Sequence, residues 1–495
     1  MSQGRSTPLR IFVNFFSRFV GRILSIGISI VVMGMLGRYL GEQQYGEYAF
    51  WYGMIFFLQQ FSDIGLEVIL VREIARKRDS VSLFFGDAIV LKGALSALFL
   101  AVIAVLAVLA VPRPSVPFLL VVSLAAVIGA SQDVSIWVFR GMETMEYEAV
   151  LTVFSQLVWI TCIWLFIAGK LGILHMLAAQ LAANVLRTCL GFMLALLKGI
   201  RPSFQFDRDR YRSHLQVAIP VGITFITSVT YNYANIALLK ALAQPEDIAA
   251  YNVGVTLTTG FLFVAITMIT SFFPVFSRYV QDRDPELPAF YGRVSKLLVM
   301  AAAPISMALL FLAQPIITLV FRQGFETSIL SLRILSATLA LRFLNRMYRF
   351  LFPACDRQTA NLRHELIGIL ASLVLSIALI PRHGYLGACA AFVASETLVF
   401  AFNYLFISRL IAPLPLVDVF LKPFLASLTM GGVLLLLQGA PLSILILAGL
   451  VAYPAALFVF RAFSLEEWET LRGILRQAKA FRLAQREKDS VPFPR

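Results

Sequence analysis

Long apolar stretches follow one another along almost the whole chain, and only short polar connectors separate them. Residues 94–111 and 442–460, for example, reach about the 18 apolar residues that an α-helix needs to cross a hydrocarbon core. No polar segment is long enough to build a soluble domain between the stretches. The pattern therefore predicts an all-α, polytopic membrane protein with about fourteen transmembrane helices.

Lys and Arg alternate between the connectors of these predicted spans. The spans in chain order are residues 17–36, 47–70, 84–111, 117–139, 148–169, 173–197, 214–239, 249–276, 297–321, 328–352, 361–380, 385–408, 416–438 and 442–461. Connectors such as residues 71–83, 198–213 and 277–296 are rich in Arg and Lys, whereas the connectors between them carry at most one. Because basic connectors stay in the cytoplasm, we expect an even number of spans with both termini cytoplasmic.

Composition agrees with a membrane protein and excludes several kinds of functional site. Of the residues, 59% are hydrophobic and 14% charged, against about 25% charged in soluble domains. The net charge of +14 follows largely from the basic connectors, so we expect no nucleic-acid partner. The four cysteines form no CxxC pair, and the four histidines lie scattered near span ends. We therefore predict no metal site, no cofactor, no catalytic residues and no ATP-driven transport by this chain alone.

Weak internal similarity suggests how the spans are grouped. Residues 36–48 resemble residues 239–251, and residues 139–149 resemble residues 352–362, each pair about 200 positions apart. We expect two pseudo-symmetric six-helix lobes, two additional helices and a tail, because parallel repeats of this kind commonly enclose a substrate cavity. The boundaries are residues 1–205, 206–412, 413–462 and 463–495. The tail is predicted to be a basic amphipathic helix on the inner leaflet or, alternatively, a solvated helical extension.

Polar side chains inside the spans are the strongest functional signal, since they are costly in lipid and usually face a bundle interior or a wet cavity. Arginines at helical spacing place several guanidinium groups toward the predicted cytoplasmic half, which suits a large anion with phosphate oxygens. The predicted substrate-binding residues are Arg18, Arg22, Asn184, Arg187, Asn235, Arg342, Arg346 and Arg349. The alternative is that the arginines snorkel to the interface or pair with Asp63 and Glu67.

Acidic residues are fewer within the spans. Asp63, Asp133 and Glu396 lie deep enough in their predicted spans to be candidates for ion coupling.

Several segments, in order and spacing, resemble a known family over the first twelve spans: the polysaccharide transporters, or O-antigen flippase type, of the multidrug, oligosaccharidyl-lipid and polysaccharide exporter superfamily. The matching segments are LGRYLGEQQYGEYAF (36–50), DIGLEVILVREIAR (63–76), AIPVGI (218–223), ALLKAL (237–242), AAYNVG (249–254), FFPVFSRY (272–279), LAQPIITLVFRQGFETSILSLRIL (312–335), PACDRQ (353–358) and ALIPRHGYLGACAAFVASE (378–396).

The resemblance implies a two-lobed, fourteen-helix protein. It also implies that the protein moves a polyprenyl-pyrophosphate-linked oligosaccharide from the cytoplasmic to the outer face of a bacterial inner membrane by alternating access. Membrane lipids would surround the protein as further partners. Polysaccharide polymerases and glycosyltransferases would be its pathway partners. Relatives often carry Asp in span seven where this chain has Asn235, so an acid-based coupling role there is not expected.

Two other functions remain open from the sequence. A multidrug or cation antiporter of the same superfamily needs acids lining its cavity, whereas span one offers arginines and no carboxylate. A membrane enzyme that polymerises or ligates lipid-linked sugars needs a substantial outer loop, yet every predicted outer connector is short.

Overall fold

The computed structural model describes residues 7–63, 65–110 and 115–462; the side chains of residues 7–20, 62, 63, 106–110, 132, 133, 220, 221, 224, 225, 228, 231 and 232 lie outside the description. This part of the chain is helical and contains no strand. The helices are α1 Thr7–Asp63, α2 Leu66–Arg76, α3 Val81–Ala110, α4 Val116–Gly141, α5 Met145–Ala168, α6 Ile173–Leu197, α7 Arg208–Leu242, α8 Pro245–Gly260, α9 Leu262–Gln281, α10 Leu287–Phe311, α11 Ala313–Phe321, α12 Glu326–Ser336, α13 Leu339–Ala354, α14 Gln358–Leu410, α15 Lys422–Leu436 and α16 Leu442–Val459. The predicted all-α, polytopic membrane fold is confirmed.

The exact number of spans stays a prediction. Among the described residues, ten helices are long and apolar enough to cross a membrane, or up to eleven if the bent pair α12 and α13 is one span. Three of the ten are longer than one crossing: Gly21–Phe61, Pro245–Gln281 and Gln358–Leu410. The first and the last of these bend at a glycine, Gly41 and Gly384. The predicted seventh span falls in α7, where several side chains lie outside the description. The predicted tail, residues 463–495, also lies outside the described residues.

Two features of the structure require glycine at residue 384, where α14 is kinked. Its φ of 52° falls in the left-handed region that favours glycine. A Cβ at this position would lie 2.3 Å from Oδ1 of Asp247. That same oxygen accepts a hydrogen bond of 2.9 Å from the backbone N–H of Tyr385. The carboxylate of α8 therefore fixes the turn in α14.

Several predicted spans are divided between two helices, among them those over 47–70, 297–321 and 328–352. The span predicted over 47–70 ends in α1 at Asp63, and α2 begins after Gly65, whose φ is 73°. The span predicted over 328–352 bends by 52° between α12 and α13. At that bend Thr338 Oγ1 donates to the carbonyl of Leu335 at 2.7 Å, and Ser306 donates to the carbonyl of Ser336 at 2.6 Å. Side-chain donors thus replace the backbone hydrogen bonds of a straight helix.

We call helices α1–α6 the N-half and helices α7–α14 the C-half. The end of the molecule that carries Gly41 and Gly384 is the Gly41 side, and the opposite end, which carries the connector 198–207, is the linker side. Along α1, residues from Val32 onward toward Gly41 are mostly buried, whereas Arg22, Ile23 and Leu24 are exposed. The two halves therefore pack tightly on the Gly41 side and leave the other end of α1 uncovered.

Candidate functional site

Three arginines predicted as substrate contacts lie together on α13. Arg342, Arg346 and Arg349 line a cavity of about 20 Å³ that is also lined by Glu365 and Glu396 of α14. A cavity of this size holds about one water molecule, so it is too small for a diphosphate in this conformation. Three guanidinium groups face two carboxylates, which leaves one positive charge in excess.

Arg342 is committed to the protein. Its Nη1 donates to Thr258 Oγ1 at 3.1 Å, and its Nη2 donates to Thr259 Oγ1 at 2.8 Å. The guanidinium carbon lies 5.3 Å from the ring centroid of Phe392, a cation–π contact. The residue therefore ties α13 to the end of α8 and to α14.

Arg349 is also paired, whereas Arg346 is not. Arg349 Nε lies 2.7 Å from Glu365 Oε1, and the same oxygen accepts a hydrogen bond of 3.1 Å from Asn361. Within the described part of the chain, Arg346 has neither a hydrogen-bond nor an ion-pair partner, although it lines the same cavity. Arg346 is thus the member of the triad whose donors are left for a ligand.

Glu396 ends a chain of hydrogen bonds that all point the same way. Asn345 donates to Glu396 Oε2 at 2.8 Å, and Asn403 donates to Asn345 Oδ1 at 3.5 Å. The side-chain oxygen of Asn403, Oδ1, lies 2.8 Å from His364 Nδ1. Because this oxygen can only accept, His364 Nδ1 is the donor. The hydrogen bonds therefore run from His364 through Asn403 and Asn345 to Glu396.

Asn235 is buried away from this cavity. Its Nδ2 donates to the hydroxyl of Tyr251 at 3.0 Å, and its Oδ1 accepts from Ser372 at 3.1 Å and from Ser376 at 2.9 Å. Its side chain is fully buried. Both polar atoms are therefore engaged between α7, α8 and α14, and the predicted substrate contact of Asn235 finds no support in this geometry.

In the N-half, Arg22 is exposed on the linker side of α1, with Ser25 buried behind it. Asn184 is buried, donating to the carbonyl of Ala125 at 2.9 Å and accepting from Gln180 at 3.0 Å. It therefore joins α6 to α4, and a protein-internal role fits it better than the predicted ligand contact. Arg187, one turn further along α6, is partly exposed. The side chains of Arg18, Asp63 and Asp133 lie outside the described residues.

Two ion-pair clusters on the linker side were not foreseen. Glu67 pairs with Arg140, which also donates to Glu148 at 2.9 and 2.6 Å. Glu67 of α2 is thus joined to the end of α4. The sequence signal for such a pair is weak because Glu67 and Arg140 lie 73 positions apart.

The second cluster joins the connector to the N-half. Arg210 donates to both carboxylate oxygens of Asp87, at 2.6 and 3.0 Å, and Asp87 is fully buried. The hydrogen bond with Asp87 raises the pKa of Arg210 above its ordinary value. The backbone N–H of Ser203 donates to the carbonyl of Ser82 at 2.8 Å. The start of α7 is therefore fixed to α3, although α7 belongs to the C-half.

Polar contacts close the Gly41 side between the two halves. Arg38 donates to the carbonyls of Val320 and Leu319 at 2.8 and 2.6 Å. Glu47 of α1 forms an ion pair with Lys240 of α7, whose side chains are 30% and 33% exposed. Tyr45 packs edge-on against Phe325, with ring centroids 5.5 Å apart. These contacts cross from the N-half to the C-half and hold this end shut.

The described residues contain no group of three or more His, Cys, Asp or Glu side chains that could hold a metal ion. The polar cavity at α13 is lined by three arginines, two asparagines, two glutamates and Val399.

Comparison with known proteins gives a consistent result. A family model described as polysaccharide biosynthesis protein matches residues 11–280. The chain is 20% identical to a putative O-antigen transporter of Escherichia coli (strain K12) over 386 residues, which are 77% of this chain and 92% of that protein.

Two solved structures show the same fold. The inward closed conformation of the lipid II flippase MurJ superposes with a TM-score of 0.73 at 16% identity, covering 91% of this chain and 98% of that chain. An inward-facing multidrug resistance MATE family transporter of the MOP superfamily superposes with a TM-score of 0.61 at 16% identity, covering 79% and 94% of the two chains. At these identities the likeness concerns the fold.

Proposed function

The chain belongs to the family of polysaccharide biosynthesis proteins, and from that premise we propose that it translocates a polyprenyl-pyrophosphate-linked oligosaccharide from the cytoplasmic to the outer face of the bacterial inner membrane. The names of its relatives, an O-antigen transporter and a lipid II flippase, support a cargo of lipid-linked sugar. Glycosyltransferases would supply this cargo, and a polysaccharide polymerase would consume it.

The observation that carries the proposal is the state of Arg346. A guanidinium group that forms no hydrogen bond or ion pair with the described residues, in a cavity with one excess positive charge, is suited to an anion. Its planar donors match phosphate oxygens bidentately, so a diphosphate is the natural partner. Arg342 and Arg349 then act as fixed neighbours that add positive potential, because their own donors are occupied by Thr258, Thr259 and Glu365.

Alternating access follows from the packing of the two halves. If the linker side is cytoplasmic, as the basic connectors predict, the Gly41 side faces outward and this conformation is closed to the outside. Cargo would enter past Arg22, together with Arg18 and Arg187, on the cytoplasmic side. Because the cavity at α13 holds about one water molecule, the helices around Arg346 must separate before the diphosphate fits. Release outward requires the contacts of Glu47 and Arg38 to break.

If translocation is coupled to an ion, the coupling group is a carboxylate. Asn235 cannot titrate near neutral pH, and its polar atoms bond to Tyr251, Ser372 and Ser376. Glu396 lies in the cavity beside the arginines, so a change of its charge would alter the binding of an anion directly. Asp63 and Asp133 remain further candidates.

The second candidate function is a cation antiporter, which the shared fold of the MATE transporter favours. Binding to the purified protein in lipid nanodiscs distinguishes the two. We expect polyprenyl pyrophosphate to bind and tetraphenylphosphonium, a lipophilic cation, to bind weakly. Binding of the cation with no binding of the pyrophosphate lipid would overturn the proposal and favour the antiporter.

A further inference from the structure

A second, apolar cavity lies between the two halves, on the Gly41 side of the molecule. Its volume is about 260 Å³. Its walls come from Phe50, Met54 and Phe57 of α1, from Tyr233 and Ala234 of α7, and from Leu373 of α14. For scale, an engineered apolar cavity of about 150 Å³ encloses a benzene ring. The space therefore takes a short stretch of hydrocarbon chain.

The lining excludes a polar ligand. Most of the wall is aromatic or aliphatic. The hydroxyl of Thr230, also in the wall, already donates to the carbonyl of Ile226 at 2.8 Å. A sugar or phosphate placed here would lose its hydration without gaining hydrogen bonds, at a cost of several kcal/mol per group. Only an apolar chain fits the chemistry of this cavity.

The cavity adjoins the surface that faces lipid. Ala237, in its wall, is exposed. On α14, next to Leu373, the residues Leu370, Val374 and Ile377 are 61%, 66% and 56% exposed. Their spacing places them on one face of the helix, which forms an apolar stripe at the mouth of the cavity. A chain would therefore enter sideways from the bilayer.

The cavity also lies where the two halves meet. One wall belongs to α1 of the N-half, and the other walls belong to α7 and α14 of the C-half. At one point the approach is very close: a Cβ on Gly53 would lie 3.1 Å from the ring of Tyr233. Any motion that separates the halves must change the shape of this cavity. Its occupant is thus coupled to the same movement that would pass a headgroup between the halves.

We propose that this cavity binds a segment of the isoprenoid chain of the translocated lipid, in the outer half of the membrane. The inference rests on the proposed function, because that function supplies a cargo whose headgroup passes between the halves while its chain stays in the adjacent lipid. The chain and the headgroup must run side by side, and this cavity is the apolar space beside that path. It would hold the chain while the Gly41 side opens.

The test is photolabelling of the full-length protein in nanodiscs, with a long-chain polyprenyl phosphate that carries a diazirine on its chain. We expect labelled peptides from residues 50–57 and 230–238. Ala234→Phe and Met54→Trp, which fill the cavity, should each reduce this labelling at least fivefold. Val451→Phe adds a phenyl ring at a residue of α16 that is 70% exposed, away from the cavity and its mouth, and should leave labelling unchanged. The thermal stability of each variant is measured in parallel, and only variants that keep the wild-type melting temperature are compared.

Competition separates the isoprenoid from ordinary acyl chains. Unlabelled polyprenyl phosphate should displace the probe, whereas an equal excess of phosphatidylglycerol should not. Equal displacement by both lipids, or labelling unaffected by Ala234→Phe and Met54→Trp, would overturn the proposal. A translocation assay on the same sample keeps the two claims apart. Translocation with no labelling of the cavity refutes the chain site alone, and specific labelling without translocation refutes the proposed function alone.

Discussion

Arg349 and Glu365 form an ion pair between α13 and α14, with 2.7 Å between Nε and Oε1. Arg346 lies one turn away on the same helix and has no such partner among the described residues. Pairing Arg349 with Glu365 offsets the cost of placing that charge in the helical bundle. The unpaired neighbour is the group that a ligand would neutralise.

Replacing Arg346 with Ala should weaken the binding of polyprenyl pyrophosphate about 10-fold to 100-fold, since hydrogen bonds to charged groups contribute about 1.5–3 kcal/mol. Lys should restore part of the affinity, because a point charge lacks the bidentate geometry of the guanidinium group. Arg363→Ala is the matched control, as Arg363 is an exposed arginine on α14. Equal affinity of the Arg346→Ala protein and the wild type would show that Arg346 does not contact the diphosphate.

The ion pair of Glu47 and Lys240 should stabilise the closure of the Gly41 side. Both side chains are about one third exposed, so we expect about 1 kcal/mol, roughly a fivefold change in the ratio of closed to open molecules. Glu47→Lys should open this side, and adding Lys240→Glu should close it again. Spin labels at the exposed residues Gln43 and Gln323, in a cysteine-free background, report the distance between the halves. If the double variant is as open as the single one, the pair does not control closure.

Asn235→Ala should lower the free energy of unfolding by about 1–3 kcal/mol, because it removes the shared partner of the hydroxyls of Tyr251, Ser372 and Ser376. Thermal unfolding in detergent gives the measurement. The binding of polyprenyl pyrophosphate by the folded variant should be unchanged. A large loss of binding at full stability would return Asn235 to the ligand site.

Glu396→Gln tests ion coupling. If the protein is coupled to protons through Glu396, the variant should translocate without responding to an imposed pH gradient. Asn345 would still donate to the amide oxygen that replaces the carboxylate, so the packing of α13 against α14 is kept. A wild-type response in this variant would assign coupling to another group, with Asp63 and Asp133 next to be replaced.

The helices were predictable because lipid imposes a strong apolar pattern on every crossing, but their breaks and partners were not. The bend after Ser336 depends on Ser306, which lies 30 positions earlier in the chain. The sequence correctly placed Arg342, Arg346 and Arg349 on one face of a helix, because their spacing alone decides this. It could not show that Arg342 is held by other helices while Arg346 has no hydrogen-bond partner in the described part of the chain, since Thr258 lies 84 positions from Arg342. The same limit applies to Asn184 and Asn235, whose partners come from other helices.

The most direct test of the central claim is translocation by the purified protein in sealed liposomes. A fluorescent polyprenyl-pyrophosphate-linked oligosaccharide is placed in both leaflets, and a membrane-impermeant enzyme that cleaves the sugar reports the fraction accessible from outside. We predict that the enzyme reaches nearly all of the lipid-linked sugar when the wild-type protein is present, and that the lipid recovered before the enzyme is added is chemically unchanged. The Arg346→Ala protein should leave about half of the lipid protected, as do protein-free liposomes. Protection of about half of the lipid in the presence of correctly folded wild-type protein would contradict the account.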